Sequence, residues 1–413
     1  MTGPANAWVL RAGTVLTPHR ELSPGWVVVR GGRVDAVGSG RPPAGLAVLD
    51  VGDRVITPGF VDLHVHGGNG AQVNGATPAE VSAAVRTVAG CHLRHGTTAL
   101  LATTVSDTAP RLVAAVRGVA VAADATDAAD ATPAADLAGQ PTARVLGSHL
   151  EGPWLAPSRA GAQDPQALRP PSTHELTALL AAGRGTVRLL TLAPELPAAL
   201  DVVRAAAADG VTVSVGHTDA DWDMTRRAFD AGARHVTHLF NAMPGVHHRR
   251  PGPVVAALDD PRVSVEVVAD GVHVHSAVLA RILAAAPDRV TAVSDATAAT
   301  GLPAGRYRLG SLDVVVRGSR VTLADAPETL AGSVLTMDRA VSVLAEAGVP
   351  LPEAVAAATA TPARVIGEPN RGRLGPGAEA DLVVLDRGLA VAAVLLAGRP
   401  AHDPQGLLRA VPR

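Results

Sequence analysis

Short apolar runs alternate with segments of helical periodicity through most of the chain. Eight strand candidates stand out between residues 61 and 293. They cover residues 61–65, 99–104, 144–149, 187–192, 211–215, 235–239, 263–268 and 290–293. The stretches Thr77-Pro78-Ala79-Glu80 and Ser172-Thr173-His174-Glu175 are typical of capping boxes at helix N-termini. Eight strands that alternate with helices predict an α/β fold closed as a (β/α)8 TIM-type barrel, with a doubly wound open sheet as the alternative.

Both ends of the chain change to a strand-like pattern. Residues 26–30 and 33–37 flank a Gly-Gly turn, as in a β-hairpin, and residues 380–385 and 393–396 are further strand candidates. We therefore predict a small β-sandwich domain formed by both termini, residues 1–57 and 370–413, beside a barrel of residues 58–369. Within the barrel, residues 307–323 form a second hairpin-like stretch, and the Ala-rich residues 113–143 predict a helix followed by a loop.

The composition narrows the class of protein. The 413 residues are 47% hydrophobic and 18% charged, which excludes an intrinsically disordered chain. A net charge of −2 favours neither nucleic acid nor a membrane as partner, and every apolar run is broken before ~18 residues. Because no signal peptide is visible and Cys91 is the single cysteine, we expect a cytoplasmic protein. The chain has no lysine, which excludes a carbamylated-lysine metal bridge.

Ionisable side chains collect at the carboxyl ends of six strand candidates, the rim where barrels of this kind carry active sites. They are His64, His66, His149, Glu151, His217, His238, Asp270, His273 and Asp295. Alternation along a strand lets His64 and His66 face the barrel mouth together. Imidazole and carboxylate are ligands of Zn or Fe, and a bound metal generates hydroxide from water at neutral pH. Asp295 is the candidate that delivers a proton to a leaving amine.

Each of these residues also has a structural interpretation. A single histidine on an apolar strand is usually buried and hydrogen-bonded, and Glu151 after its strand could cap the next helix. Recurrence at six strand ends favours a metal site over these separate explanations. The basic cluster at residues 247–250 is either a solvated loop or an anion clamp, since arginine binds phosphate bidentately.

Several motifs resemble those of the amidohydrolase superfamily and, within it, the N-acetylglucosamine-6-phosphate deacetylase family. The superfamily signature is PGFVDLHVHG at residues 58–67. The narrower resemblance rests on HLEGPW at 149–154, GHT at 216–218, THLFNAMP at 237–244, ADGVHV at 269–274, VSDAT at 293–297 and LAGS at 330–333. The resemblance covers nearly the whole chain, including both strand-like termini.

The resemblance implies an enzyme that hydrolyses the acetamide of N-acetyl-D-glucosamine 6-phosphate to D-glucosamine 6-phosphate and acetate. It implies one divalent ion, Zn or Fe, held by Glu151, His217 and His238, and Asp295 as the catalytic acid/base. A second ion per subunit is consistent with the presence of His64 and His66. The substrate contacts that it implies are Ala162, Gln163, Asn241, Ala242, Arg249, Asp270, Gly271, Val272, His273, Leu330, Ala331 and Gly332. It also implies a homodimer in which Arg249 reaches the neighbouring site.

Two positions depart from the family pattern. Gln163 stands where the family often has histidine, and a neutral amide neither donates as a cation nor binds metal strongly. Arg250 stands where the family often has an acid, so that the clamp is more positive. Three alternatives stay open: a deacetylase for a galactosamine phosphate, one for an unphosphorylated amino sugar, and a non-catalytic binding protein on the same fold.

Overall fold

The chain begins with seven strands that belong to two sheets. The computed structural model describes residues 7–18, 20–127, 135–136 and 139–411. The first strands are β1 (Trp8–Ala12), β2 (Thr14–Thr17), β3 (Arg20–Leu22), β4 (Gly25–Arg30), β5 (Arg33–Ser39), β6 (Ala47–Asp50) and β7 (Val55–Pro58). One sheet has the order β5-β4-β1-β6, with β4 and β5 joined by the predicted Gly-Gly hairpin turn.

Eight parallel strands then form the barrel, and each pairs with the next along the chain. The strands of this region are β8 (Phe60–Val65), the short hairpin of β9 (Gly67–Gly68) and β10 (Ala71–Gln72), β11 (Thr97–Thr104), β12 (Arg144–Glu151), β13 (Val187–Leu192), β14 (Thr212–Val215), β15 (His235–Val236), β16 (Ser264–Val268) and β17 (Val290–Val293). The sixth barrel strand, predicted over 235–239, ends at Val236 because His238 and Phe240 adopt positive φ angles of 28° and 78°.

The ring closes between its last strand and its first. A parallel bridge pairs Ala296, just after β17, with Val65 at the end of β8. The amide of Asp295 donates to the carbonyl of His64, and the amide of His66 donates to the carbonyl of Ala296, both at 2.9 Å. The sheet is therefore a closed barrel, and the alternative of a doubly wound open sheet is wrong.

Helices cover the outside of the barrel. They are α1 (Pro78–Leu93), α2 (Ala109–Asp127), α3 (Thr173–Gly183), α4 (Ala199–Ala208), α5 (Trp222–Ala231), α6 (Gly252–Asp259), α7 (Ser276–Ala285), α8 (Met337–Glu346), α9 (Leu351–Ala358) and α10 (Ala360–Val365). The capping box of Thr77 and Glu80 at α1 is confirmed, with both reciprocal hydrogen bonds present. At α3 only half of the predicted box forms, because the carboxylate of Glu175 binds Arg169 and Trp154 instead. The loop predicted after α2 lies largely outside the described residues.

The remaining strands form a separate three-stranded accessory sheet and complete the second terminal sheet. They are β18 (Gly305–Leu309), β19 (Leu312–Arg317), β20 (Arg320–Leu323), β21 (Leu382–Leu385), β22 (Val391–Leu396) and β23 (Arg399–His402). The hairpin-like stretch at 307–323 is a three-stranded antiparallel sheet, β18-β19-β20. The C-terminal strands join the N-terminal ones in the order β23-β22-β21-β7-β2-β3.

The two terminal sheets share one hydrophobic core. Leu10 and Val27 of the first sheet pack in the same buried cluster as Ile56, Leu382 and Leu395 of the second. A small sandwich built by both termini is thus confirmed, and we propose 57/58 and 369/370 as its boundaries with the barrel. Within the described part of the chain, no helix is both long and apolar enough to cross a membrane.

Candidate active site

Three strand ends turn sharply into the barrel mouth. His217, His238 and Asp295 follow β14, β15 and β17, and their φ angles are 47°, 28° and 51°. A non-glycine residue in this region costs about 1–3 kcal/mol, and such residues cluster at functional sites. The turns bring all three side chains to the same rim, where they are 5%, 5% and 6% exposed.

Glu151, at the end of β12, lies between two pairs of histidines. Its Oε1 atom is 3.2 Å from His217 Nε2 and 3.1 Å from His238 Nε2, and these two nitrogens are 3.1 Å apart. On the other side, Oε1 is 3.3 Å from His64 Nε2 and Oε2 is 3.4 Å from His66 Nε2. The five residues predicted as metal ligands therefore converge, with the Glu151 carboxylate shared between the two pairs.

In their neutral form, the form that binds a metal, these rings present lone pairs to one another. The Nδ1 atoms of His64, His66 and His217 donate outward, to Glu266, to the Thr103 carbonyl and to the Arg159 carbonyl. A neutral imidazole has one proton, so the Nε2 atoms of these rings are acceptors that point into the centre. His64 Nε2 and His66 Nε2 are only 3.1 Å apart. Because facing lone pairs repel, a divalent cation fits this donor set well.

The site is strongly charged as well as buried. Burial would raise the pKa of Glu151, but the imidazoles of His64 and His217 hold this pKa well below its usual value. Burial would likewise raise the pKa of Asp295, and the rings of His64 and His66 lower it instead. Asp295 Oδ1 is 3.3 Å from His66 Nε2. Both carboxylates are thus ionised at neutral pH.

A cavity of ≈ 250 Å³ opens over these groups. Its lining includes four of the predicted metal ligands, His66, Glu151, His217 and His238, together with Asp295. It also includes seven of the predicted substrate contacts. These are Ala162, Gln163, Asn241, Ala242, His273, Leu330 and Gly332. Gly161, Leu309 and Thr329 also line it and were not predicted. Leu309 comes from the accessory sheet β18-β19-β20, whose position the sequence did not indicate.

Gln163 is held by protein partners on both sides of its amide. Nε2 donates to Glu151 Oε2 at 2.5 Å, and Oε1 accepts the amide of Ser106 at 2.6 Å. The side chain is only 3% exposed. Gln163 therefore borders the cavity, but both polar atoms of its amide already bind protein groups. One bond orients Glu151, and the other holds the Ser106 amide.

The predicted contacts at 270–273 divide into two groups. His273 lines the cavity, and its Nδ1 donates to Asp270 Oδ2 at 2.7 Å, which leaves Nε2 for a ligand. Burial would lower the pKa of His273, and the bond to Asp270 raises it above its usual value. Asp270 also accepts the amide of Val272. Asp270, Gly271 and Val272, like Ala331, lie outside the cavity lining.

The predicted phosphate contacts differ in whether they have a free hydrogen-bond donor near the cavity. The backbone amide of Asn241 donates to the His238 carbonyl at 2.9 Å and is therefore not free to bind a phosphate. Among the described residues, the amide of Ala242 has no protein acceptor. Arg249 is exposed, with Nη1 2.8 Å from His248 Nε2, and does not line the cavity of its own chain.

Two buried residues beneath the site complete it. His149 is fully buried; its Nε2 lies 2.8 Å from the Thr191 hydroxyl, and burial lowers its pKa to about 3. It is a neutral structural histidine. Glu266 in β16 is also fully buried and was not predicted. Its only signal in the sequence is a carboxylate inside the apolar run at 263–268.

Comparisons with known proteins agree with this geometry. A model of the amidohydrolase family matches residues 55–405. A mutant of N-acetyl-D-glucosamine-6-phosphate deacetylase from Mycobacterium smegmatis, solved with N-acetyl-D-glucosamine-6-phosphate, is 41% identical with a TM-score of 0.87, covering 96% of this chain and 100% of that one. N-acetylgalactosamine-6-phosphate deacetylase of Escherichia coli O157:H7 is 36% identical over 395 residues, 95% of this chain and 99% of the relative. N-acetylglucosamine-6-phosphate deacetylase of Homo sapiens is 36% identical over 359 residues, 84% of each chain.

Proposed function

The chain belongs to the amidohydrolase family, and from that premise we propose that it hydrolyses the acetamide of N-acetyl-D-glucosamine 6-phosphate to D-glucosamine 6-phosphate and acetate. The observation that carries this proposal is the cavity in which Glu151, His217, His238 and Asp295 meet. The Mycobacterium smegmatis relative, solved with this same sugar phosphate, supports the choice of substrate.

We propose that Glu151, His217 and His238 hold one divalent ion, and that His64 and His66 allow a second. Zn and Fe both accept this mixture of imidazole and carboxylate. Such an ion, when bound, lowers the pKa of water and polarises the acetamide carbonyl. Both effects assist the attack of water on the carbonyl carbon.

Asp295 carries the proton in this proposal. Its carboxylate is ionised and borders the cavity, so it can accept a proton from the attacking water and deliver it to the amine that leaves. His273, fixed by Asp270 through Nδ1, directs Nε2 toward a polar group of the substrate. Gln163 holds Glu151 in place, since its amide donates to Oε2.

The phosphate would lie toward Asn241 and Ala242 on the cavity wall. The amide of Ala242, which has no acceptor among the described residues, suits an anionic oxygen. We propose that the chain forms a homodimer in the cytoplasm and that Arg249 of one subunit reaches the phosphate in the other. The exposure of Arg249 in a single chain supports this arrangement. Arg249→Ala tests the contact between this side chain and the phosphate.

The proposal is tested by acetate release. The protein, purified with its native metal, is given N-acetylglucosamine 6-phosphate and, separately, the unphosphorylated sugar. Rapid release from the phosphate ester alone is expected. A metal-loaded protein that releases acetate from neither compound would refute the proposed substrate, and a folded protein that binds no metal would favour a non-catalytic binding role.

A second candidate substrate is N-acetylgalactosamine 6-phosphate, which differs only at the C4 hydroxyl. The Escherichia coli relative named N-acetylgalactosamine-6-phosphate deacetylase matches 95% of this chain. This match favours testing the galactosamine compound as a substrate. The kcat/KM values for the two phosphates, measured in competition, decide between them. A higher value for the galactosamine compound would reassign the substrate and leave the reaction unchanged.

A further inference from the structure

Glu266 is a fully buried carboxylate at the base of the ligand cluster. Oε1 lies 3.0 Å from His235 Nε2, and Oε2 lies 3.1 Å from His64 Nδ1. Oε2 also accepts the backbone amide of His238 at 3.3 Å. A buried carboxylate is costly unless it is fully hydrogen-bonded, so these three donors must account for its presence in the barrel interior.

The two contacts of Oε2 reach opposite halves of the site. His64 belongs to the pair with His66, whereas His238 belongs to the pair with His217. The contact to His238 is made at a turn with a φ angle of 28°, which needs support to persist. One oxygen atom therefore touches both ligand pairs without facing the cavity.

We propose that Glu266 is a positioning residue of the metal centre that fixes the tautomer of His64 and holds the turn of His238 in place. With the Nδ1 proton committed to Glu266, the lone pair of His64 Nε2 points at Glu151 and His66. This inference rests on the proposed metal-dependent function. It concerns a residue that lies outside the cavity lining.

The charge of Glu266 matters as well as its shape. A carboxylate that accepts from the far nitrogen of an imidazole makes the near nitrogen a stronger ligand, and loss of such a partner costs about 10- to 100-fold in metal affinity. Glu266→Gln removes the charge at nearly constant volume. Its carbonyl can still accept from His64 and His238, and its amide can face His235 Nε2, because the Ser264 hydroxyl, 2.6 Å from His235 Nδ1, can donate or accept. The fold is therefore expected to survive.

The test measures zinc binding to the chelated protein by competition with a chromophoric chelator, alongside the melting temperature of the metal-free form. Glu175→Gln is the matched control, since the Glu175 carboxylate bonds Arg169 and Trp154 and none of the proposed ligands. We expect Glu266→Gln to weaken zinc binding by about 10- to 100-fold with little change in metal-free melting temperature, and Glu175→Gln to bind zinc as the wild type does.

Zinc affinity equal to the wild type in folded Glu266→Gln would refute the contribution of the charge, and equal affinity in folded Glu266→Asp as well would overturn the positioning role; both outcomes leave the metal-dependent function standing. A wild-type protein that binds no zinc or iron would overturn the proposed function itself, and the inference with it. If Glu266→Gln does not fold, Glu266→Asp decides, because it keeps the charge but withdraws it from His64. Unchanged zinc affinity in folded Glu266→Asp would refute the positioning role.

Discussion

His92 links the stability of the barrel to pH. It lies near the end of α1, is fully buried, and donates from Nε2 to the carbonyl of Gly67 at 2.9 Å, one residue after His66. Burial lowers its pKa from the ordinary 6.5 to about 4, although the bond to Gly67 acts in the opposite direction. The folded protein therefore holds His92 neutral over a pH range in which the unfolded chain protonates it.

The sign and size of the effect follow from this difference. Between about pH 6.5 and pH 4 the unfolded state binds more protons, so stability falls as the pH falls. The difference in pKa corresponds to about 3 kcal/mol in full, of which about 2.5 kcal/mol is lost between about pH 7.5 and pH 4.5. His92→Gln keeps an N–H donor for Gly67 but has no proton to gain.

The assay is urea unfolding of the chelated wild type and of His92→Gln at both pH values, followed by tryptophan fluorescence. Chelation removes competition between protons and metal at the site. The stability difference between the two proteins should shift by about 2.5 kcal/mol in favour of the variant on acidification. His174→Gln, an exposed histidine of α3, is the control and should leave the pH dependence unchanged. Equal pH dependence in wild type and His92→Gln would refute the reasoning.

Three further predictions concern the active site. Asp295→Asn should keep fold and metal but lose about 10²-fold or more in turnover, and near-wild-type kcat would remove Asp295 from the mechanism. Arg249→Ala should raise KM for the phosphorylated substrate far more than for its dephosphorylated analogue, whereas equal changes would refute the phosphate contact. Gln163→Ala leaves the Ser106 amide and Glu151 Oε2 without their partner, so it should destabilise the protein by about 2 kcal/mol and lower kcat. Unaltered thermal melting and kinetics would show that the Gln163 amide is dispensable.

The sequence predicted those features that repeat along the chain. Eight apolar runs with alternating helices are sufficient to indicate a barrel, and ionisable residues at successive strand ends must meet because parallel strands end on one rim. The terminal sandwich followed from the same kind of pattern. What the sequence could not predict depends on single contacts between distant residues. Glu266 meets His64 across 202 positions, and no local pattern marks that pair.

The error in the length of one strand has a local physical cause. The sixth strand was predicted too long because an apolar run does not reveal the left-handed turn at His238. Gln163 lines the cavity and stays a predicted substrate contact, but a nearby motif does not show that its amide binds Glu151 and the Ser106 amide. The place of Arg249 relative to a phosphate stays a prediction, because the pattern of one chain does not specify what a second subunit contributes.

The closing seam of the barrel has a consequence for thermodynamic linkage. First and last strands meet there through the backbone of His64, His66 and Asp295 rather than through a long ladder. The same three residues place their side chains in one cluster above the seam. A ligand held jointly by these side chains would join the two ends of the ring, so that its binding free energy adds to the unfolding free energy of the whole barrel. Hydrogen exchange at the amides of His66 and Asp295 would report ring opening and ligand loss as one event.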